Sequence, residues 1–177
     1  MYQVGDLILY GSTGVCRIKD IQEGAGRQGG EKRLYYILEP LYQSCVISTP
    51  VDNDKVFMRP VLSRQEADEL IDRIPSIQAE AYHGHALREL TEHYVAALKT
   101  YDCGELVEMT MSIYEKKRDM ARQHRKFGAL DERFMKRAED LLFGELAVAL
   151  EISKDEVPDY ISRRVKTLEK EKQGAPS

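Results

Sequence analysis

Gly24, Gly26 and Gly29 spell Gly-x-Gly-x-x-Gly, the spacing with which a backbone cradles a pyrophosphate against a helix N-terminus. That chemistry needs a helix to follow. Residues 31–38 instead alternate Leu34, Tyr36 and Leu38 at strand period, so residues 22–30 are read as a hairpin loop. His83, His85 and His93 could ligate a metal, but no cysteine or third carboxylate completes a ligand spacing. They are read as surface or capping histidines, and no metal is expected. Asp52-Asn53-Asp54 opens like a calcium loop yet lacks the glycine at the sixth position and the glutamate at the twelfth, which predicts a turn. Ser12, Thr13 and Ser44 have no histidine nearby in sequence to activate them. No catalytic residue and no cofactor is expected, and the chain is read as a non-enzyme.

The charge pattern is more informative. Net charge is −4 over 177 residues, but residues 63–115 carry four basic against eleven acidic side chains, and residues 116–137 reverse this with nine against three. Lys116, Lys117, Arg118, Arg122, Arg125, Lys126, Arg133, Lys136 and Arg137 form that basic block. It either contacts phosphates, releasing counterions, or is a solvated face balanced by the acidic block. Cys16, Cys45 and Cys103 are odd in number and form no Cys-x-x-Cys spacing, as expected of reduced thiols in the cytoplasm. Neither a secretory signal nor a membrane span is read in the chain.

The elements that would position these residues change character near residue 62. Leu7–Tyr10 is a short apolar run, Gly11 and Gly14 reverse the chain, and Val15–Ile21 resumes it. Tyr35–Leu38, Cys45–Thr49 and Val56–Pro60 complete five strands, with Pro40, Pro50 and Pro60 at strand ends. From Ser63 the period becomes helical. Ser63-x-x-Glu66 and Ser153-x-x-Glu156 are capping boxes, and Asp102 is an N-cap. Helices are predicted from Ser63 to before Pro75, over Leu87–Tyr101, from Asp102 to about Phe127, over Asp131–Leu150, and from near Val157 onwards. Leu87, Leu90, Tyr94 and Leu98 should face inward on the second helix, and Leu106, Met109, Ile113, Lys117 and Met120 on the third. The fold class is α+β in two domains. Residues 1–60 form a small five-stranded antiparallel barrel, and residues 63–171 a compact all-helical domain of about five helices.

Tyr2-x-Val4-Gly5-Asp6, the aliphatic run to Tyr10, and Gly14 through Ile18 resemble the opening of the CarD/CdnL family of bacterial transcription regulators. The segment Arg137–Ala149, with Leu141-Leu142 and Glu145-Leu146-Ala147, is similar to that family's penultimate helix. The resemblance implies a Tudor/SH3-like barrel, shared with transcription-repair coupling factor, that binds the β subunit of RNA polymerase. It aligns Val46, Ile47, Ser48 and Thr49 with the docking strand, Ser48 replacing an arginine, and leaves Arg27 or Arg33 to supply a basic contact near the hairpin. It further implies a helical domain that holds promoter DNA open with a wedge tryptophan. That position falls on Leu90 here, and its basic neighbours fall on Glu92, His93 and Val95. A further lysine falls on Glu132. The remaining DNA contacts expected are Lys116, Lys117, Arg122, Arg125, Lys126, Arg133 and Lys136.

Docking by main-chain pairing at a sheet edge tolerates side-chain change, whereas wedging depends on the side chains themselves. The chain is therefore read as a cytoplasmic, monomeric regulator that binds the polymerase β subunit and modulates open-complex stability at promoter DNA. The alternative is a diverged protein-interaction adaptor that keeps the barrel's partner site without touching DNA.

Overall fold

The computed structural model describes residues 1–26 and 29–174. The chain divides into two compact units, Met1–Val61 and Leu62–Ser177. In the first, β1 (Leu7–Tyr10), β2 (Gly14–Ala25), β3 (Lys32–Pro40), β4 (Ile47–Pro50) and β5 (Met58–Pro60) form one antiparallel sheet. Its order is β4-β3-β2-β1-β5. Positive φ at Gly11 (45°) and Gly14 (91°) makes the first reversal, and a Cβ on Gly11 would sit 2.9 Å from Val56 Cγ1. β2 and β3 run further than their apolar positions predict, because Gln22 to Ala25 pair in register with Tyr35 to Lys32. A bulge between Ile18 and Asp20 bends β2. Its first half therefore buries Val15, Cys16 and Ile18, while its second half emerges as an exposed hairpin. Tyr36 and Leu38 of β3 close the core with Ile8. The Tyr36 hydroxyl accepts the Tyr2 N–H at 2.9 Å, which fixes the N-terminal residues against this core. Among the described residues no ladder joins β4 to β5, so both are edges.

The second unit holds α1 (Arg64–Asp72), α2 (Leu87–Leu98), α3 (Cys103–Arg122), α4 (Ala129–Leu150) and α5 (Val157–Gly174). Ser63 and Glu66 form the capping box of α1, and Asp102 accepts the Glu105 N–H at the start of α3. Three helices end where a non-glycine residue turns left-handed: α2 before Tyr101 (φ 53°), α3 before His124 (φ 54°) and α4 at Glu151 (φ 56°). That is why α2 stops at Leu98 and α3 at Arg122, short of the expected ends. Pro158 lies in the first turn of α5, after a one-turn 3-10 segment over Lys154–Glu156. Arg164 fastens α5 to α1 through a two-pronged pair with Asp72 at 2.6 and 2.9 Å, beside a Tyr160–Asp68 hydrogen bond of 2.6 Å.

Two inward positions differ from the sequence reading. Lys116, not Lys117, is the buried lysine of α3. Leu87 opens α2 with 74% of its surface exposed, while Leu90, on the same helix, is 5% exposed in the core. Leu90→Trp is accordingly expected to destabilise the helical unit by about 1–3 kcal/mol through overpacking. Leu87→Trp should change stability by no more than about 0.5 kcal/mol. Denaturant unfolding followed by far-UV circular dichroism checks both.

Candidate functional site

The open edge of β4 is set by backbone parity. The Val51 N–H donates to the Leu34 carbonyl at 3.0 Å. Alternation along an antiparallel ladder then directs the peptide groups of Thr49 and Ile47 at Tyr36 and Leu38, their partners in β3. Ser48 and Pro50 turn theirs outward. Pro50 has no N–H to offer, so Ser48 supplies the central unpaired donor and acceptor, and Val46 continues the edge beyond the strand. Side chains alternate the other way. Thr49 is buried, Ile47 packs on the core, Ser48 is exposed, and Val46 is 61% exposed. Arg33 on β3 pairs with Asp52 just past β4, at 2.8 and 2.9 Å, which braces the C-terminal end of the edge. Asp52 to Asp54 make the expected turn, with Lys55 N–H bonded to the Asn53 side chain at 3.0 Å. The structure thus brings Arg33 and residues 46–49 together at one edge; Arg27 lies outside the described residues.

The basic block separates into two parts. α3 and α4 form a helical hairpin in which Lys116 meets Asp131 and Tyr114 meets Glu139. This register gathers Arg122, Arg125, Lys126, Arg133 and Lys136 around the turn at residues 123–128, all exposed. Arg122 bonds Asp119 at 3.3 Å, and Lys117 lies over the Phe127 ring at 5.5 Å. Lys116 belongs to neither turn nor surface. It is buried, with its ammonium 3.0 Å from Asp131, whose carboxylate also takes the Tyr94 hydroxyl at 2.6 Å. As a phosphate contact it is corrected: its charge is already used inside the fold. Leu90 is corrected likewise, since a wedge must stand outside the core.

His93 sits at the border. Its ring stacks on Tyr82 at 3.6 Å and 8°, and burial, then the charge of Lys116, push its pKa below the ordinary 6.5. A depressed histidine pKa means that folding favours the neutral ring. That contribution is complete above pH 6.5 and is lost as pH falls through the folded value. The helical unit of the wild type should therefore lose melting temperature between about pH 7 and pH 5 more steeply than His93→Phe, as differential scanning calorimetry of the two proteins would show.

Glu145 is a structural site that sequence patterning does not reveal. Nearly wholly buried on α4, it accepts the Leu62 N–H at 3.0 Å and the Cys103 thiol at 3.0 Å, tying the start of the unit and the start of α3 to its centre. Such a role has no local signal, because its partners stand 83 and 42 residues away. Among the described residues no group of three His, Cys, Asp or Glu side chains is placed to hold a metal ion. No helix among the described residues is long and apolar enough to cross a membrane.

No curated protein matches the chain. Residues 2–62 match the family model described as the CarD-like/TRCF RID domain, and this interval spans the whole five-stranded sheet and its β4 edge. The N-terminal unit is thus similar to the CarD-like/TRCF RID domain, which supports a transcription-related, RNA polymerase-interacting role in general terms.

Proposed function

We propose that this protein is a non-enzymatic transcription regulator that docks on the β subunit of RNA polymerase by pairing a polymerase strand with the open edge of β4. The supporting observation is that the unit matching the CarD-like/TRCF RID model presents an edge that no other strand covers among the described residues, with Ser48 supplying both a donor and an acceptor and Val46 exposed beside it. The helical unit modulates promoter open-complex stability through the basic face around residues 122–136. Leu87, with Arg88 next to it, is the apolar side chain this unit offers to unstacked DNA in place of Leu90. The reading makes the protein a cytoplasmic monomer without a cofactor.

The burial of Leu90 and Lys116 favours a second reading, an adaptor that keeps the polymerase contact and leaves DNA alone. Calorimetric titration of the full chain with an isolated polymerase β-lobe fragment at physiological salt tests the shared part, and micromolar binding is expected. Binding of upstream promoter DNA then separates the two. Contact through the basic face should lose affinity at least tenfold between about 50 and 200 mM salt, with one unit less of log–log slope for each of Arg125 or Lys126 replaced by alanine. An absence of DNA binding at the lower salt selects the adaptor.

A further inference from the structure

The β4 edge is open, short and uncharged. No Asp, Glu, Lys, Arg or His occurs in residues 40–51, which contain the whole strand and the approach to it. Edge strands are usually kept single by lysines, inward-pointing charges, bulges or proline, and of these β4 has only Pro50. The opposite edge is better guarded. On β5 the outward positions are Met58 and Pro60, with Arg59 between them. The N-terminal unit carries seven basic and seven acidic side chains, so two copies of it approach without net repulsion.

The outward groups of this edge are complementary to themselves. Val46 and Ser48 each turn an N–H and a C=O away from β3, whereas Pro50 turns out a C=O alone. Consider antiparallel pairing with a second copy across a two-fold axis at Ile47. Val46 then lies opposite Ser48 of the other copy, once on each side of the axis, and each such pair exchanges both its N–H and its C=O. The two Ile47 residues meet as the pair without hydrogen bonds between them. Moving the axis to Ser48 would set each Pro50 ring against the Val46 carbonyl of the other copy and lose a bond in each half. The proline therefore selects the register centred on Ile47. Side chains agree with it. Val46, 61% exposed, gains a cross-strand neighbour on the outer face, beside half-buried Ile37, while Thr49 and Ile47 stay on the core side.

We infer that β4 is a self-complementary interface, at which a second copy of this chain pairs through residues 46–48 and joins the two five-stranded sheets into one. One set of N–H and C=O groups cannot serve two strands at once. The consequence for docking rests on the reading of β4 as the polymerase edge: the dimer is the closed form, and the monomer is the form that docks. A contact of this length is small against that of a stable complex, so concentration governs the exchange. At a total concentration about ten times the dimer Kd, about one fifth of the chains are monomeric. The apparent affinity for the polymerase β-lobe fragment should then be about fivefold weaker than at high dilution.

Sedimentation equilibrium of the full chain from about 10 µM to 1 mM should show reversible exchange between monomer and dimer. In hydrogen-exchange NMR of the unaltered protein, the Val46 and Ser48 amides should gain protection as concentration rises, with the Met58 amide on β5 unchanged. Two double variants read the register. Val46→Lys with Ser48→Glu sets opposite charges in both cross-strand pairs and should tighten the dimer about threefold or more. Val46→Lys with Ser48→Lys sets like charges there and should loosen it by a similar factor. A chain still monomeric at about 1 mM, a dimer indifferent to these charges, or protection gained elsewhere than at β4 would each overturn the proposal. The exchange map needs no variant, so a poorly folding double variant leaves the test intact. A dimer that follows the charges, with β-lobe affinity independent of concentration, would uphold the interface and overturn the docking reading instead.

Discussion

Replacing Asp131 with alanine is expected to destabilise the helical unit by about 3–5 kcal/mol, the largest effect of any single polar substitution described in this protein. Its carboxylate has two buried dependants, the Lys116 ammonium at 3.0 Å and the Tyr94 hydroxyl at 2.6 Å. Removing it strands a charge inside the fold, which is worse than never having placed one there. The position is prepared by the backbone. Asp131 lies in the first turn of α4, where the helix dipole favours an anion, and Gly128 has no Cβ, which would otherwise stand 3.1 Å from the carboxylate. Tyr94 is held neutral, its pKa pushed far above the ordinary value by burial and then by the bond to Asp131. Urea unfolding followed by far-UV circular dichroism reads the helical unit directly. The informative partner is the apolar replacement of all three groups, Tyr94→Phe with Lys116→Met and Asp131→Leu. It should recover most of the lost stability, because a well-packed apolar set avoids the desolvation of two charges. If Asp131→Ala alone is near neutral, Lys116 must reach water in solution and would return to the basic face.

A residue's role is legible in the sequence only when its partners lie close along the chain. Leu7–Tyr10, the Ser63 capping box and Asp102 were legible because strand alternation and N-caps involve neighbours within a few residues. The helix ends were not, since Tyr101, His124 and Glu151 adopt the left-handed conformation that a reader expects of glycine. The choice between Lys116 and Lys117 was lost because a helix drifts against any integer spacing, and Asp131, which decides it, is far along the chain. Leu90 and Leu87 differ by one turn, and only the packing around α2 tells which is covered. At the β4 edge the strand was legible, but its outward parity was not, because it depends on the Val51–Leu34 hydrogen bond.

That parity makes Ser48→Pro the sharpest test of the docking edge. The Ser48 N–H points away from β3, so proline there removes no bond of the native ladder. Pro50 already occupies the equivalent outward position in the same strand, and Pro60 does so on β5, where Val61 and Phe57 turn inward to β1. The variant should fold with a melting temperature close to wild type. Its edge, however, loses the central donor and gains a ring where a partner strand must approach to within about 4.8 Å. Affinity for the polymerase β-lobe fragment is expected to fall a hundredfold or more, about 2.8 kcal/mol, when measured by calorimetry. Ser48→Ala keeps the main-chain donor and acceptor and should bind within about threefold of wild type, since main-chain pairing carries the affinity. Raising the salt should change neither result much, in contrast to any contact made by the basic face. A folded Ser48→Pro protein that binds as tightly as wild type would move the contact off β4. The exposed side chains around Val46 and Tyr42 would then have to hold polymerase without strand pairing.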